Sequence, residues 1–160
     1  MSSSNQNTLH TGSLLSEFTH WRAYLALCKP KVVALIVFTA FVGMLLAVPG
    51  FPPLDLVLFA TLGIGMAASS AAAINHILDR DFDQHMGRTA DRPLPTGQVG
   101  IIQATVFALS LGILSMLILA LLVNVITAML TLATLVGYAI IYTRYLKHMT
   151  PQNIVIGGAA

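Results

Sequence analysis

Three oxygen-bearing side chains, Asn75, Asp79 and Asp83, recur every four residues at the end of a long apolar segment. If the helix continues through them they line one face, because residues four apart stack one above another. Asp81 lies across from the three. A carboxamide and two carboxylates are hard oxygen ligands of the kind that hold Mg²⁺, which is bound through one or two carboxylates together with substrate phosphates. Arg88 and Arg92 follow within ten residues of Asp83, and Arg144 and Lys147 lie in the next polar stretch. Guanidinium forks suit phosphate oxygens, and a lysine adds a point charge. Acids that hold a metal beside bases that hold an anion point to a diphosphate site. Asn75, Asp79 and Asp83 are its candidate metal ligands and catalytic residues, and Arg88, Arg92 and Lys147 its candidate diphosphate contacts.

A plainer reading competes with this one. Loops are polar by default, so the acids could be a solvated juxtamembrane loop beside its own arginines, and the bases simple topology determinants. Two physical points favour chemistry. Acidic groups at a helix C-terminus oppose the macrodipole, by about 0.3–1 kcal/mol each at exposed positions, and they repel one another; a bound cation relieves both penalties. Asn75 also lies at least a turn inside the apolar segment, and intramembrane polar groups mark functional sites. Arg22 and Lys29 are read as topology determinants.

The elements that must position these residues are membrane helices. Of the 160 residues 56% are hydrophobic and 9% charged, with a mean hydropathy of +0.82. Soluble domains carry about 25% charged residues, so this chain cannot cover a globular surface. In a bilayer the backbone must satisfy itself, which predicts an all-α, polytopic transmembrane bundle. The net charge of +2 is too small to suggest nucleic acid, and the single cysteine, Cys28, has no metal-ligand spacing around it.

Residues 1–13 are polar and predicted disordered, without the apolar run of a signal peptide or the Arg-rich pattern of a transit peptide. Leu14, Phe18, Trp21, Leu25 and Cys28 share one helical face, which predicts an interfacial helix over 14–31. The rest, 32–160, is read as one transmembrane domain. Spans are expected at about 32–48, 54–78, 101–122 and 125–142. Pro49-Gly50 and Pro52-Pro53 make the first external turn, and Asn124 breaks the long run from Ile101 to Tyr142. Ala67 to Ala73 carries only small side chains, which let a neighbouring helix approach closely. A further apolar segment begins at Asn153 and is too short to cross a bilayer, so the sequence reads as cut short after about four spans. All eight Lys and Arg residues fall on one side of this topology. By the positive-inside rule that side, and the N-terminus with it, is cytoplasmic, which suits a multi-pass protein of a bacterial inner (plasma) membrane.

The polar motifs carry a family resemblance. Asn75-x3-Asp79-x-Asp81-x-Asp83 resembles the first aspartate-rich motif of the UbiA prenyltransferase superfamily. The longer run from Asp79 through Arg88-Thr89-Ala90-Asp91-Arg92-Pro93-Leu94-Pro95 to Gly97 resembles that of its haem O synthase branch. Lys29-Pro30-Lys31 and the stretch from Tyr142 to Gly158 agree with the same branch. Two positions depart from it: His76 stands where the wider superfamily is often acidic, and His148 where the branch commonly has a base. The resemblance covers the N-terminal half of the family's pattern; the second aspartate-rich motif, which holds the other metal, is not in this sequence.

The resemblance implies transfer of a farnesyl group from farnesyl diphosphate to a vinyl group of haem b, giving haem O for haem-copper oxidases. It implies Mg²⁺ on Asn75, Asp79 and Asp83, diphosphate on Arg88, Arg92 and Lys147, and Tyr142 shaping or hydrogen-bonding the site. Haem b enters as substrate, and oxidase assembly proteins are candidate partners beside the lipid bilayer. His76 and His85 flank the cluster and are candidate iron ligands, although a lone histidine is more often structural. Two further readings stay open: a UbiA-type enzyme with a quinone or chlorophyll-precursor acceptor, and a non-catalytic membrane protein or inactive fragment.

Overall fold

A computed structural model of the chain describes residues 21–83 and 92–138, the side chains of 81–83 excepted. Every regular element among them is helical. Residues 21–27 form α1, followed by α2 (Pro30–Ala47), α3 (Leu54–Asp83), α4 (Ile101–Leu122) and α5 (Val125–Val136), and residues 137–138 wind on as a π turn. The expected disordered N-terminus and the apolar segment from Asn153 lie outside the described residues.

Three helices, α2, α3 up to Arg80, and α4, are long and apolar enough to cross a membrane. Their outer faces carry exposed large apolar side chains, among them Phe38, Leu62, Ile113 and Leu121. Water would not tolerate that coverage, and a bilayer requires it. The chain is a transmembrane helical bundle.

Helix α3 runs antiparallel to both α2 and α4 and sits at the centre, packing against α2, α4 and α5 and most extensively against α4. Small residues make that closest pairing. Ser115 Oγ donates to the Gly63 carbonyl at 2.7 Å, and Ser70 Oγ donates to the Ala108 carbonyl at 2.7 Å. Without a hydrophobic drive between helices in lipid, such close backbone approach and interhelical hydrogen bonding hold a bundle together. Helix α2 is peripheral and buries no residue fully.

Each reversal has a local cause. Gly50, with φ of 96°, turns the chain between α2 and α3. Asn124 caps α5 by accepting the Thr127 N–H on its side chain at 2.7 Å, a strong N-cap arrangement. Between α3 and α4, the Thr96 N–H and hydroxyl both reach the Arg92 carbonyl, and Gly97 takes a φ of 73°. That turn plants Leu94 and Val99 in a core with Ala23, Leu27, Ala73, Ala104 and Ala108.

Helix α1 buries Ala23 and Leu27, while Trp21 and Leu25, on the face expected to be apolar, point outward. The helix stops at residue 27 rather than running to 31, and Cys28 and Lys29 separate it from α2, Lys29 in a left-handed conformation, φ 50° and ψ 63°.

Candidate functional site

Length places the site. Thirty residues make α3 about 45 Å long at 1.5 Å per residue, against a hydrocarbon core of about 30 Å. The helix starts at Leu54, so an upright α3 leaves the apolar slab near Asn75 and carries its last turns, with every predicted acid, into the interface. The polar stretch expected to begin at Asp79 is therefore helical through Asp83. Alanines at 67, 68, 71, 72 and 73 favour the helix, and no proline interrupts it.

Beside α3 lies a cavity of about 390 Å³. From α3 it is lined by Ile64, Ala67, Ala68, Ala71 and Ala72, from α2 by Val32, Val33 and Ile36, and from α5 by Thr131, Thr134, Leu135 and Tyr138. The α3 contribution is a stripe at helical spacing, and the next positions along that stripe are Asn75 and Asp79. Both are buried, at 5% and 4% exposure. An apolar chamber and an oxygen-bearing pair thus share one face of one helix.

Lysine 29 closes the arrangement. It lines the cavity, and its Nζ donates to Asn75 Oδ1 at 2.9 Å across 46 residues of chain. A lysine ammonium only donates, so this contact sets which end of the Asn75 carboxamide faces the cavity mouth. Lys29 was read from sequence as a topology determinant; the structure brings it to the predicted ligand Asn75. Tyr138, four positions before the predicted Tyr142 in the sequence, is a second cavity residue that sequence reasoning missed. The available signal for Lys29 was the proline after it. Pro30 opens α2 and leaves Lys29 as its N-cap, outside the helical register, where its side chain is free of the α2 surface pattern.

The other predicted residues divide. Arg92 is half-buried at the head of the Pro93–Val99 turn, whose anchors Leu94 and Val99 pack with Ala73, Ile74 and Ile77 of α3. The cavity wall includes Lys29 rather than Arg92. His76 is buried beside Asn75. Arg80 Nε is buried with no hydrogen-bond acceptor among the described residues. The Asp83 side chain, His85, Arg88, Tyr142 and Lys147 lie outside the described residues. Among the described residues no three His, Cys, Asp or Glu side chains gather at one point, and the predicted ligand set is represented by Asn75 and Asp79. A carboxamide oxygen and a carboxylate one turn apart fit a hard divalent cation.

Residues 36–160 match the model of the UbiA prenyltransferase family. The chain belongs to that family. Among curated proteins it is similar to the protoheme IX farnesyltransferase of Methylococcus capsulatus, 64% identical over 140 residues, 88% of this chain and 47% of that one. It is likewise similar to the protoheme IX farnesyltransferase of Nitrosococcus oceani, 58% identical over 153 residues, covering 96% of this chain and 50% of the relative. A third such relative, from Colwellia psychrerythraea, is 56% identical over 151 residues. The chain spans about half the length of the curated relatives it matches. No solved structure matches it.

Proposed function

We propose that this UbiA-family chain forms the first-motif half of a site that transfers a farnesyl group from farnesyl diphosphate to a vinyl group of haem b, giving haem O and diphosphate. The observation that carries the reading is the shared α3 face: an apolar cavity for an isoprenoid tail leads directly to Asn75 and Asp79. The names of the relatives supply the donor and acceptor classes.

In this reading the tail lies along Ala67, Ala68, Ala71 and Ala72, whose small side chains make the room. Asn75, Asp79 and Asp83 hold the metal, which when bound neutralises charge on the departing diphosphate. Arg88, Arg92, Lys147 and Tyr142 complete the anion contacts. The C1–oxygen bond of the donor breaks and its electron pair leaves with diphosphate. The vinyl group supplies the electrons for the new bond to C1, and the cation left on the side chain takes up water and loses a proton. Fixed charges in a water-poor site stabilise such charge separation far better than solvent does. His76 and His85 are carried as haem-iron candidates, and the motif-bearing ends of the helices as the cytoplasmic side of an inner membrane. Haem-copper oxidase assembly proteins are the corresponding partners.

The test supplies haem b, farnesyl diphosphate and Mg²⁺ to membranes containing this chain, alone and in place of the matching half of the Methylococcus capsulatus relative. Haem O, read by mass spectrometry, is expected from the second arrangement and is abolished by Asp79→Ala. Prenylation of an aromatic acceptor but not haem b would move the reading to another acceptor class.

A further inference from the structure

Side-chain size changes along the cavity. On α3 the wall runs through Ala72, Ala71, Ala68 and Ala67, all small, and then reaches Ile64. Among the described residues of α2, which runs the other way, the last cavity residue is Ile36. Two β-branched side chains thus stand at the far end of a chamber whose α3 wall is otherwise alanine. Branching at the β-carbon restricts the first side-chain torsion, so these two yield less readily than leucine or methionine would.

The backbone fixes that end. Ile64 lies between two glycines, and each receives a neighbouring helix. A β-carbon at Gly65 would lie 3.2 Å from Val37 Cγ2 of α2, and one at Gly63 would run into Leu119 of α4. Val37, the residue after Ile36, therefore packs onto α3 rather than lining the chamber. Helices α2 and α4 grip α3 immediately to either side of Ile64, and neither can drift to deepen the chamber without losing its contact.

Depth then discriminates between tails. Ile64 lies about 16 Å along α3 from Asn75, at 1.5 Å per residue. An extended chain advances about 1.2 Å per bond. Three isoprene units of four bonds each reach about 14 Å, and a fourth carries the tail to about 19 Å. The shorter tail ends above Ile64, and the longer one meets it. In an open groove each added unit would bury more apolar surface and tighten binding, so selection against a longer donor requires an obstruction.

We propose that Ile64, with Ile36 beside it, is the floor of the tail chamber and limits the donor to three isoprene units. Ile64 is a specificity-determining residue that meets the end of an overlong tail and takes no part at the diphosphate. This rests on the reading of the cavity as the tail site of a prenyl diphosphate.

The experiment measures competition of geranyl, farnesyl and geranylgeranyl diphosphate against radiolabelled farnesyl diphosphate in the presence of Mg²⁺. The chain takes the place of the matching half of the Methylococcus capsulatus relative, in lipid nanodiscs. The wild type is expected to prefer the farnesyl to the geranylgeranyl donor. Ile64→Ala is expected to shift that ratio toward the longer donor by at least about tenfold, the lower end of what one methylene decides in an apolar pocket. Ile64→Phe raises the floor and should shift preference from the farnesyl toward the geranyl donor. Opposite shifts from a smaller and a larger side chain are not produced by simple damage, which weakens all three donors together. Ile36→Ala acts from the other wall and should repeat the Ile64→Ala shift in smaller measure, without touching the α3–α4 seam. Ratios unmoved in the Ile64 and Ile36 variants would overturn the floor while leaving the tail cavity in place. So would a wild type that takes the longer donor as well as the farnesyl one. A wild type that binds farnesyl diphosphate no better than inorganic diphosphate would overturn the tail reading and the proposal together.

Discussion

Ser115 on α4 donates to the backbone carbonyl of Gly63 on α3 at 2.7 Å, so at this level the two helices touch almost backbone to backbone. One turn further along α4, Leu119 is fully buried against the same glycine. A β-carbon at Gly63 would lie 2.6 Å from Leu119 Cδ2 and 2.7 Å from its Cγ. Leu119 has no exposed side to retreat to. Gly63→Ala is therefore expected to push α4 away and cost about 1–3 kcal/mol, the usual range for overpacking. Gly43→Ala, on the lipid side of α2 with nothing within 4 Å of the added carbon, is the control. Thermal unfolding in micelles should show a lowered midpoint for Gly63→Ala alone; equal midpoints would mean the helices are not held this closely.

The two interhelical hydroxyl bonds act at separate levels of the α3–α4 seam. Ser70 meets the Ala108 carbonyl and Ser115 meets the Gly63 carbonyl, about 10 Å apart along α4 at 1.5 Å per residue. Membrane hydrogen bonds of this kind average about 0.6 kcal/mol and reach about 1.7. Ser70→Ala and Ser115→Ala should each cost an amount in that range, and distant sites should add. Strong non-additivity in a double-mutant cycle would show that one serine compensates for the other.

The fold class was legible because little charge and long apolar runs admit only a helical bundle in a bilayer. The break at Val123–Asn124 interrupts a run that hydropathy leaves continuous, and only a polar residue inside twice the span length betrays it. The extension of α3 to Asp83 was harder to see, since charges on a helix that outgrows the membrane look like a loop in sequence. The inward face of α1 was hidden for another reason: both faces of this short helix are apolar, and Leu27 is buried while Leu25 is exposed, so residue type does not choose between them. The proline after Lys29 sets it apart from the α2 pattern but does not by itself assign it to the site. Its direction comes from a left-handed backbone and a partner 46 residues away, and both are products of tertiary packing.

Asn124 supports the α4–α5 reversal through its acceptor to the Thr127 N–H. Asn124→Ala removes that acceptor and is expected to cost about 0.5–2 kcal/mol, whereas Asn124→Ser keeps a capping oxygen and should lose little. Limited proteolysis at this turn provides the measurement. Faster cleavage of the alanine variant than of the serine variant is expected, and indistinguishable rates would remove the cap from the account.

Burial pushes the Cys28 thiol up from its ordinary 9.0, against a hydrogen bond with Ser69 that lowers it. The thiolate is the reactive form, so alkylation by iodoacetamide should be slower than for a free thiol at neutral pH and keep rising above pH 9.0. The sign for stability follows. Folding favours the protonated thiol, so this contribution is present below the unfolded value and is lost as pH rises through the folded one. Full denaturation should restore ordinary reactivity. A native rate matching that of a small free thiol would contradict the burial.

The cavity wall gives the most direct handle on the proposed donor. Ala68 lines the chamber on the α3 stripe, about 10 Å from Asn75 at 1.5 Å per residue, far enough to leave the polar pair untouched. Ala68→Phe puts a ring into space that the isoprenoid tail is proposed to fill. Binding of farnesyl diphosphate should weaken about tenfold or more, equivalent to losing a methylene pair or so of buried tail at about 0.8 kcal/mol each. Geranyl diphosphate, one isoprene unit shorter, should lose less, and inorganic diphosphate should be unaffected. That graded order separates a filled tail cavity from a damaged headgroup site, because a damaged site would weaken all three ligands together. Equal losses across the series would place the tail elsewhere in the bundle.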